Sequence, residues 1–232
     1  MLKRIWHEWT TFEKIWLAVF TAINIYLFFA LGDSLIGLIS SITGMIAVVL
    51  IAKGKISNYF FGIIQSGTYS YISFSYGLYG EAMLNGLFYF PFQFIGMYLW
   101  NKNKTRESTK GEDVIVKRLN KKQWIQLSLV IVVSSIIYAY FLHSLGGKQV
   151  RIDSIAVVLS VVAQLLLVKR YVEQWILWIA VNVLSITLWA IILMTSGGND
   201  WSMLVMWSAF LLNSVYGYIN WMKISKKQLA KQ

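Results

Sequence analysis

The residues best suited to chemistry in this sequence are amides, hydroxyls and aromatic rings inside long apolar segments. Trp178 and Asn182 stand four residues apart, and Trp189 follows Asn182 by seven. At these spacings the three side chains lie on roughly one face of a helix. A ring beside an amide suits a planar or cationic solute, which stacks on the ring and hydrogen-bonds to the amide. The pattern predicts a binding site rather than a catalytic one.

Polar side chains in the other apolar segments extend this candidate site. A buried amide is unfavourable unless it has a partner, so each amide here points to a bound solute or to a helix contact. Gln65 and Asn182 are the strongest candidates because they occupy corresponding places in two similar helices, whereas Trp178 and Trp189 are equally compatible with core packing. The full set is Gln65, Tyr69, Gln93, Trp178, Asn182, Trp189, Asn213 and Tyr216.

The composition shows what kind of elements must position these residues. Of the 232 residues, 57% are hydrophobic and only 13% are charged, whereas soluble domains carry about 25% charged residues. The net charge of +11 could indicate a nucleic-acid binder, but the bases stand in short clusters between long uncharged segments. The absence of cysteine excludes a disulfide scaffold. An all-α, polytopic membrane protein remains.

Windows of nearly uncharged sequence predict eight transmembrane helices. A helix needs about 20 apolar residues to cross a bilayer. The sixth window is shorter than this, but it contains no charge after Asp153. The predicted helices are roughly 14–32, 34–52, 57–77, 81–100, 123–144, 153–168, 172–195 and 201–222.

The basic residues orient these helices. With eight spans, all but Lys148 and Arg151 of the 21 basic residues fall on one side. The positive-inside rule places that side, with both chain termini, in the cytoplasm. The loop 101–122 is the only long hydrophilic stretch, and it predicts a flexible linker whose bases contact anionic lipid. The charge therefore marks orientation in an inner membrane and gives no reason to expect nucleic acid.

Four further tryptophans stand near the ends of the predicted helices. Tryptophan at such positions commonly lies at the level of the lipid headgroups. The sequence therefore assigns an interfacial role to Trp100, Trp175, Trp201 and Trp221.

Nothing in the sequence predicts an enzyme, a metal or a cofactor. His7 and His143 stand near helix ends without acids or cysteines around them, which disfavours metal binding and histidine catalysis. The phosphate-binding loop typical of ATP-hydrolysing proteins is also absent from the sequence.

Two parts of the chain resemble each other. Residues 94–102 match residues 215–223, and the segment before Tyr59 matches the segment before Trp175. The match predicts two three-helix bundles joined by a linker helix, with the first helix outside the repeat. Because three helices plus one linker is an even number, the two bundles run in the same direction. The predicted parts are 1–32, 33–100, 101–152, 153–222 and 223–232.

At these residues the chain resembles the PnuC family of bacterial nicotinamide riboside transporters. The resemblance covers roughly 34–222 and is carried by residues 55–65, 77–100, 170–183 and 213–221. It implies a 3+1+3 core similar to the SWEET sugar transporters, a homotrimer, and facilitated diffusion of nicotinamide riboside. It also implies that a separate cytoplasmic kinase phosphorylates the riboside and so sustains uptake. Thiamine or another vitamin is an alternative substrate, and a sensor or scaffold without transport is an alternative function.

The residues favour the same mechanism independently of the resemblance. Away from their ends, the predicted helices contain no Asp, Glu, Lys or Arg. Ion-coupled carriers generally use such groups, and a phosphorylated solute needs Arg or Lys along its path. Passive passage of a nucleoside is therefore expected.

Pro91 stands in the middle of the fourth predicted helix. Proline removes a backbone hydrogen bond and is expected to kink that helix. The kink could act as a hinge during transport, or it could be a static bend that shapes a cavity.

Overall fold

The computed structural model describes residues 9–31, 35–75, 82–105, 112–144, 150–196 and 201–230. Within these ranges eight helices are present, as the sequence predicts, and most of their ends lie within three residues of the expected ones. The last helix continues for seven residues beyond its predicted end. The helices are α1 (Thr11–Leu31), α2 (Leu35–Ala52), α3 (Asn58–Ser75), a π-helical segment (Leu84–Tyr89) continued by α4 (Phe90–Lys102), α5 (Lys121–Ser144), α6 (Val150–Val168), α7 (Gln174–Ser196) and α8 (Trp201–Leu229).

Three stretches of these helices are long and apolar enough to cross a membrane by length and composition alone. They are Thr11–Ala30, Leu35–Ala52 and Lys121–Phe141. Two shorter apolar stretches, Ser154–Val168 and Gln174–Thr187, lie in α6 and α7.

The chain divides into two compact units, residues 1–114 and 115–232. In the first unit α2 packs against α1 and α3, and α3 also packs against α4 and the π-helical segment. In the second unit α5 packs against α6, α6 against α7, and α7 against α8.

Each unit contains the same tight turn between two antiparallel helices. Gly54 follows α2 with φ 67°, and Arg170 follows α6 with φ 65°. The N–H of Gly54 donates to the carbonyl of Ile51, and that of Arg170 to the carbonyl of Leu167. Every backbone hydrogen bond of the first turn, from residues 53 to 59, recurs in the second at an offset of 116 residues. A left-handed backbone conformation favours glycine. Arg170 therefore adopts a conformation that is unstrained in Gly54 but strained in a residue with a side chain.

Each unit also contains one glycine pressed against an aromatic ring. Gly96 of α4 contacts the ring of Tyr59, and Gly217 of α8 contacts Trp175, in both cases too closely for a Cβ atom. The ring of Tyr59 meets Trp100 edge-on at 5.2 Å between centroids. The two helices in each pair can approach only because the glycine has no side chain.

The second unit repeats the edge-on ring contact, between Trp175 and Trp221 at 6.0 Å. Trp100 and Trp221 are fully buried, and Trp175 is nearly so. The expectation that these three tryptophans form an interfacial belt is therefore wrong, because their rings are buried inside their units, where Trp100 packs on Tyr59 and Trp175 packs on Trp221. The side chain of Trp201 lies outside the described part of the chain.

Residues 112–114 are held against the first turn. The N–H of Asp113 donates to the carbonyl of Gly54, and its carboxylate accepts from the N–H of Ile56 at 2.9 Å. Glu112 and Val114 are buried on either side of Asp113. This part of the long hydrophilic loop is an ordered extended segment.

Residues 116–118 are held in the same manner within the second unit. Lys117 donates its N–H to the carbonyl of Arg170 and accepts from the N–H of Val172. The N–H of Val116 donates to Oε1 of Gln228, near the end of α8. The expected flexible linker is therefore wrong for residues 112–118, because their backbone groups find partners on the turns and on α8. Residues 106–111 of that loop lie outside the described part.

A buried ion pair joins α1 to the end of α2. Nζ of Lys53 lies 2.7 Å from Oε2 of Glu13, and both side chains are more than nine-tenths buried. Glu13 and Thr10 also hydrogen-bond reciprocally across the start of α1, which is a capping box. The helix predicted to lie outside the repeat is thus fixed to the first unit by a compensated pair of charges.

The irregularity expected at Pro91 takes the form of the π-helical segment. Pro91 stands in the first turn of α4, directly after that segment, and the N–H of Phe90 donates to the carbonyl of Asn85, five residues earlier. A proline at this position needs no N–H partner. The wider turns of a π-helix end where the proline begins the α-helix.

Candidate functional site

The amide of Asn182 is a buried polar group in the middle part of α7. Its side chain is 3% exposed, and its Nδ2 donates to Oγ of Ser214 on α8 at 2.9 Å. Ser214 is also buried. A buried amide requires such a partner in an apolar environment, so this hydrogen bond fixes where the amide points.

Trp178 lies one turn before Asn182 on α7. Part of its ring packs against the apolar core of the second unit, and the side chain as a whole is half-buried. The core cluster consists of Val158, Leu159, Val162, Ala163, Leu166, Leu177 and Val181. The two interpretations of Trp178, core and site, are compatible, because one surface is packed while another is accessible.

Two further candidates lie on α8. Asn213 is buried beside Ser214 in the sequence, and Tyr216 is half-buried. The side chain of Trp189 lies outside the described part of the chain. In the second unit the structure thus brings together Asn182 and Ser214, with Trp178 one turn away from the amide.

The first unit contains a second group of amides. Gln65 of α3 packs on Gly44 of α2, where an added Cβ would lie 3.0 Å from Cγ of Gln65. The amide of Gln93 packs on Gly62, in a contact too close for a Cβ atom. Gly62 and Gln65 are one turn apart, so both amides lie along the same stretch of α3. Tyr69, one turn further along α3, is half-buried.

The turn geometry corrects one detail of the expected repeat. The offset of 116 residues between the two turns places Asn182 opposite Ser66, which is fully buried, and not opposite Gln65. The two amides are therefore one residue out of register. The hydroxyl of Ser66 donates to the carbonyl of Gly62 at 2.7 Å, on its own helix.

Sequence reasoning missed Ser214. A serine in a membrane helix usually serves close packing or bonds to its own backbone, and nothing in its type distinguishes it. The available signal was its position next to Asn213, on the helix that carries the second copy of the repeated segment.

The charges near this site are few. Among the described residues no group of three or more His, Cys, Asp or Glu side chains could hold a metal ion. Glu173 is buried at the start of α7, 3.8 Å from Nε of the half-exposed Arg118. The polar chemistry of the described site thus comes from amides, hydroxyls and rings.

Apolar helices of membrane-spanning composition, with uncharged polar groups buried among them, define a multi-pass membrane protein. The family model described as "nicotinamide mononucleotide transporter" matches residues 34–223. The chain belongs to this family.

The curated relatives and a solved structure agree with this membership. The chain is 42% identical to the nicotinamide riboside transporter PnuC of Neisseria mucosa, over 97% of this chain and 86% of the relative. It is 41% identical to the PnuC of Haemophilus influenzae, over 94% and 93% respectively. A crystal structure of the vitamin B3 transporter PnuC superimposes with a TM-score of 0.83 at 42% identity, covering 94% of both chains. These proteins are named as transporters, which confirms the interpretation of the chain as a transporter and not an enzyme.

Proposed function

We propose that this protein carries nicotinamide riboside into the bacterial cell by facilitated diffusion. The observation that carries the proposal is the pair formed by Trp178 and Asn182, a partly accessible ring one turn from a buried, oriented amide. The nicotinamide ring of the riboside is flat and cationic and bears a carboxamide. A tryptophan face attracts such a ring, and an amide hydrogen-bonds to its substituent. Two relatives that are more than 40% identical over nearly the whole chain are named for this substrate.

The proposed mechanism is passive. Away from their ends, the predicted transmembrane segments contain no Asp, Glu, Lys or Arg, and the lysines of α8 stand beyond the last of these segments. The buried Glu13 and Lys53 stand at helix ends and are paired with each other. Coupling to protons or sodium usually requires ionisable groups within the membrane. Uptake is then sustained by a separate cytoplasmic kinase, which converts the riboside to a charged product.

The proposed substrate is the riboside and not the mononucleotide of the family's description. A phosphate group carries up to two negative charges and is bound in proteins by Arg, Lys or clustered N–H groups. Away from their ends, the predicted transmembrane segments contain no basic side chain that could offset those charges. A cationic nucleoside needs only rings and amides.

We also propose the arrangement of the chain in the membrane. The chain is proposed to form a parallel 3+1+3 repeat of the SWEET type. Each unit contains one of the two equivalent turns and one of the two glycine–aromatic contacts, and these support the proposal. The repeat consists of α2 to α4 and α6 to α8, with α5 as linker and α1 outside it. Both termini lie in the cytoplasm of an inner-membrane protein, and the family resemblance favours a homotrimer.

Transport by the purified protein in liposomes tests the proposal. Flux of radiolabelled nicotinamide riboside is expected without any proton or sodium gradient, with little flux of nicotinamide mononucleotide or thiamine. Flux that requires a gradient would contradict the passive mechanism, and flux of thiamine alone would contradict the substrate.

Two variants connect this flux to the site. Trp178→Ala is expected to weaken riboside binding about tenfold by removing the stacking surface, whereas Trp178→Phe retains most of the binding. Thermal unfolding in detergent, followed in parallel, checks that each variant is folded. Equal binding by both variants and the unmodified protein would remove Trp178 from the site.

A further inference from the structure

We propose that Ser214 is a positioning residue that makes the transporter selective for a carboxamide over the corresponding carboxylate. Its hydroxyl holds the amide of Asn182 in one orientation, so that the amide oxygen faces the substrate. The inference rests on the proposed function, since it specifies how that same site distinguishes its substrate.

The hydrogen bond determines which end of the amide is available. An asparagine side chain presents NH₂ donors at one end and a carbonyl acceptor at the other. Nδ2 of Asn182 donates to Oγ of Ser214 at 2.9 Å. With Nδ2 engaged on α8, Oδ1 points away from Ser214 and can accept a hydrogen bond.

An acceptor that faces the substrate discriminates between two closely related substrates. The NH₂ of a carboxamide donates to an amide oxygen, whereas a carboxylate has only acceptors and repels that oxygen. A buried acceptor left without a donor is unfavourable by about 1–3 kcal/mol. Nicotinamide riboside satisfies Oδ1 of Asn182, and its carboxylate analogue, nicotinic acid riboside, does not.

The surroundings hold the two side chains close together. Asn182 and Ser214 are both more than nine-tenths buried, and hydrogen bonds are stronger where water is excluded. The contact between Trp175 and Gly217 seats the same two helices, α7 and α8, closely against each other. The separation of the hydroxyl and the amide is therefore set by backbone packing.

The first unit supports this assignment by contrast. The offsets of 116 and 121 residues place Ser66 and Gln93 where the second unit has Asn182 and Ser214. In the first unit the hydroxyl is thus on α3 and the amide on α4, whereas in the second unit the amide is on α7 and the hydroxyl on α8. There the serine donates to its own helix at Gly62, while in the second unit Ser214 engages the amide directly.

The test compares binding of the two ribosides to the full-length protein and its variants. Isothermal titration in detergent gives the ratio of their dissociation constants. The unmodified protein is expected to prefer nicotinamide riboside. Ser214→Ala frees the amide to rotate and is expected to lower this preference about five- to tenfold, a loss comparable to one hydrogen bond. Ser214→Thr retains the hydroxyl and is expected to retain the preference.

Asn182 supplies the matched control. Asn182→Ala alone is expected to abolish the preference, and adding Ser214→Ala to it should cause no further change, because Ser214 acts only through Asn182. Gel filtration and thermal unfolding identify the folded variants. If Ser214→Ala does not fold, Ser214→Cys, a similar shape with weaker hydrogen bonding, replaces it.

Each outcome either supports or overturns the inference. Ser214→Ala with an unchanged preference, or Ser214→Thr with a lost one, overturns the positioning role while leaving the proposed function intact. Absence of riboside binding by the unmodified protein overturns the proposed function, and the inference with it. A further loss in the double variant shows that Ser214 acts on the substrate directly and also overturns the inference.

Discussion

At the residue scale, one glycine in each unit sets how closely two helices of that unit approach each other. Gly96 and Gly217 have no room for a Cβ atom against the rings of Tyr59 and Trp175. Neither glycine is in a left-handed conformation that would demand its presence. Their role is steric, and it accounts for the recurrence of glycine at the same place in both copies of the repeated segment.

Gly217→Ala is expected to destabilise the protein. The new methyl group would lie 2.6 Å from the Trp175 ring, which must then shift, and such overpacking typically lowers the free energy of unfolding by about 1–3 kcal/mol. A lower midpoint of thermal unfolding in detergent would show it.

Gly67 provides the matched control, because it too is helical but a Cβ there would meet Phe90 at an ordinary 3.5 Å. Gly67→Ala is expected to leave the midpoint unchanged or to raise it, since alanine favours helix by about 1 kcal/mol over glycine. Equal destabilisation by both substitutions would contradict the steric explanation.

At the element scale, the segment from Leu84 to Lys102 differs most from its counterpart. It begins as a π-helix and becomes α-helical at Phe90, one residue before Pro91. The corresponding helix of the second unit, α8, is α-helical from Trp201 to Leu229. π-helical turns occur frequently at functional sites. The first unit therefore contains an irregular helix where the second unit has a continuous one.

Pro91→Ala tests whether this irregularity serves transport. Alanine restores an N–H that can continue regular α-helix into the π-helical segment, so the transport rate in liposomes is expected to fall several-fold while binding changes little. Riboside binding measured by titration controls for damage to the site. An unchanged rate would show that the segment is a static bend.

At the scale of the whole molecule, the charges at the end of α8 bear on the proposed orientation of the chain in the membrane. The exposed lysines of α8, Lys223, Lys226 and Lys227, extend beyond the predicted end of the last span. At 1.5 Å per residue, a helix of 29 residues is about 43 Å long and exceeds a hydrocarbon core of about 30 Å. Such a helix must emerge into the headgroup region, where anionic lipid attracts lysine.

The proposed orientation can be tested directly because the chain contains no cysteine. In intact cells whose outer membrane has been made permeable, a membrane-impermeant maleimide is expected to label Lys148→Cys but not Lys226→Cys. Opening the inner membrane should then allow labelling of both. The reverse pattern would place the termini outside.

The helices were predictable because long uncharged segments have few alternatives in a membrane. Backbone groups in lipid must bond within the segment, so apolar sequence of sufficient length forms helix. The π-helical segment was not predictable, because its hydrogen bonds differ from those of α-helix by one residue and proline is compatible with several responses. The tryptophans were misassigned because proximity to a helix end does not indicate which way a side chain faces.

The sequence by itself determined the class of protein, the number of helices and the uncharged character of the candidate path, since these depend on composition and on runs of residues along the chain. Tertiary structure decided which residues meet: Asn182 with Ser214, Glu13 with Lys53, and Gln93 with Gly62. It also pairs Asn182 with Ser66, one residue after the Gln65 that the sequence comparison had paired with it. Such pairings depend on helix rotation and separation to within an ångström, and those are set by packing between residues far apart in the sequence.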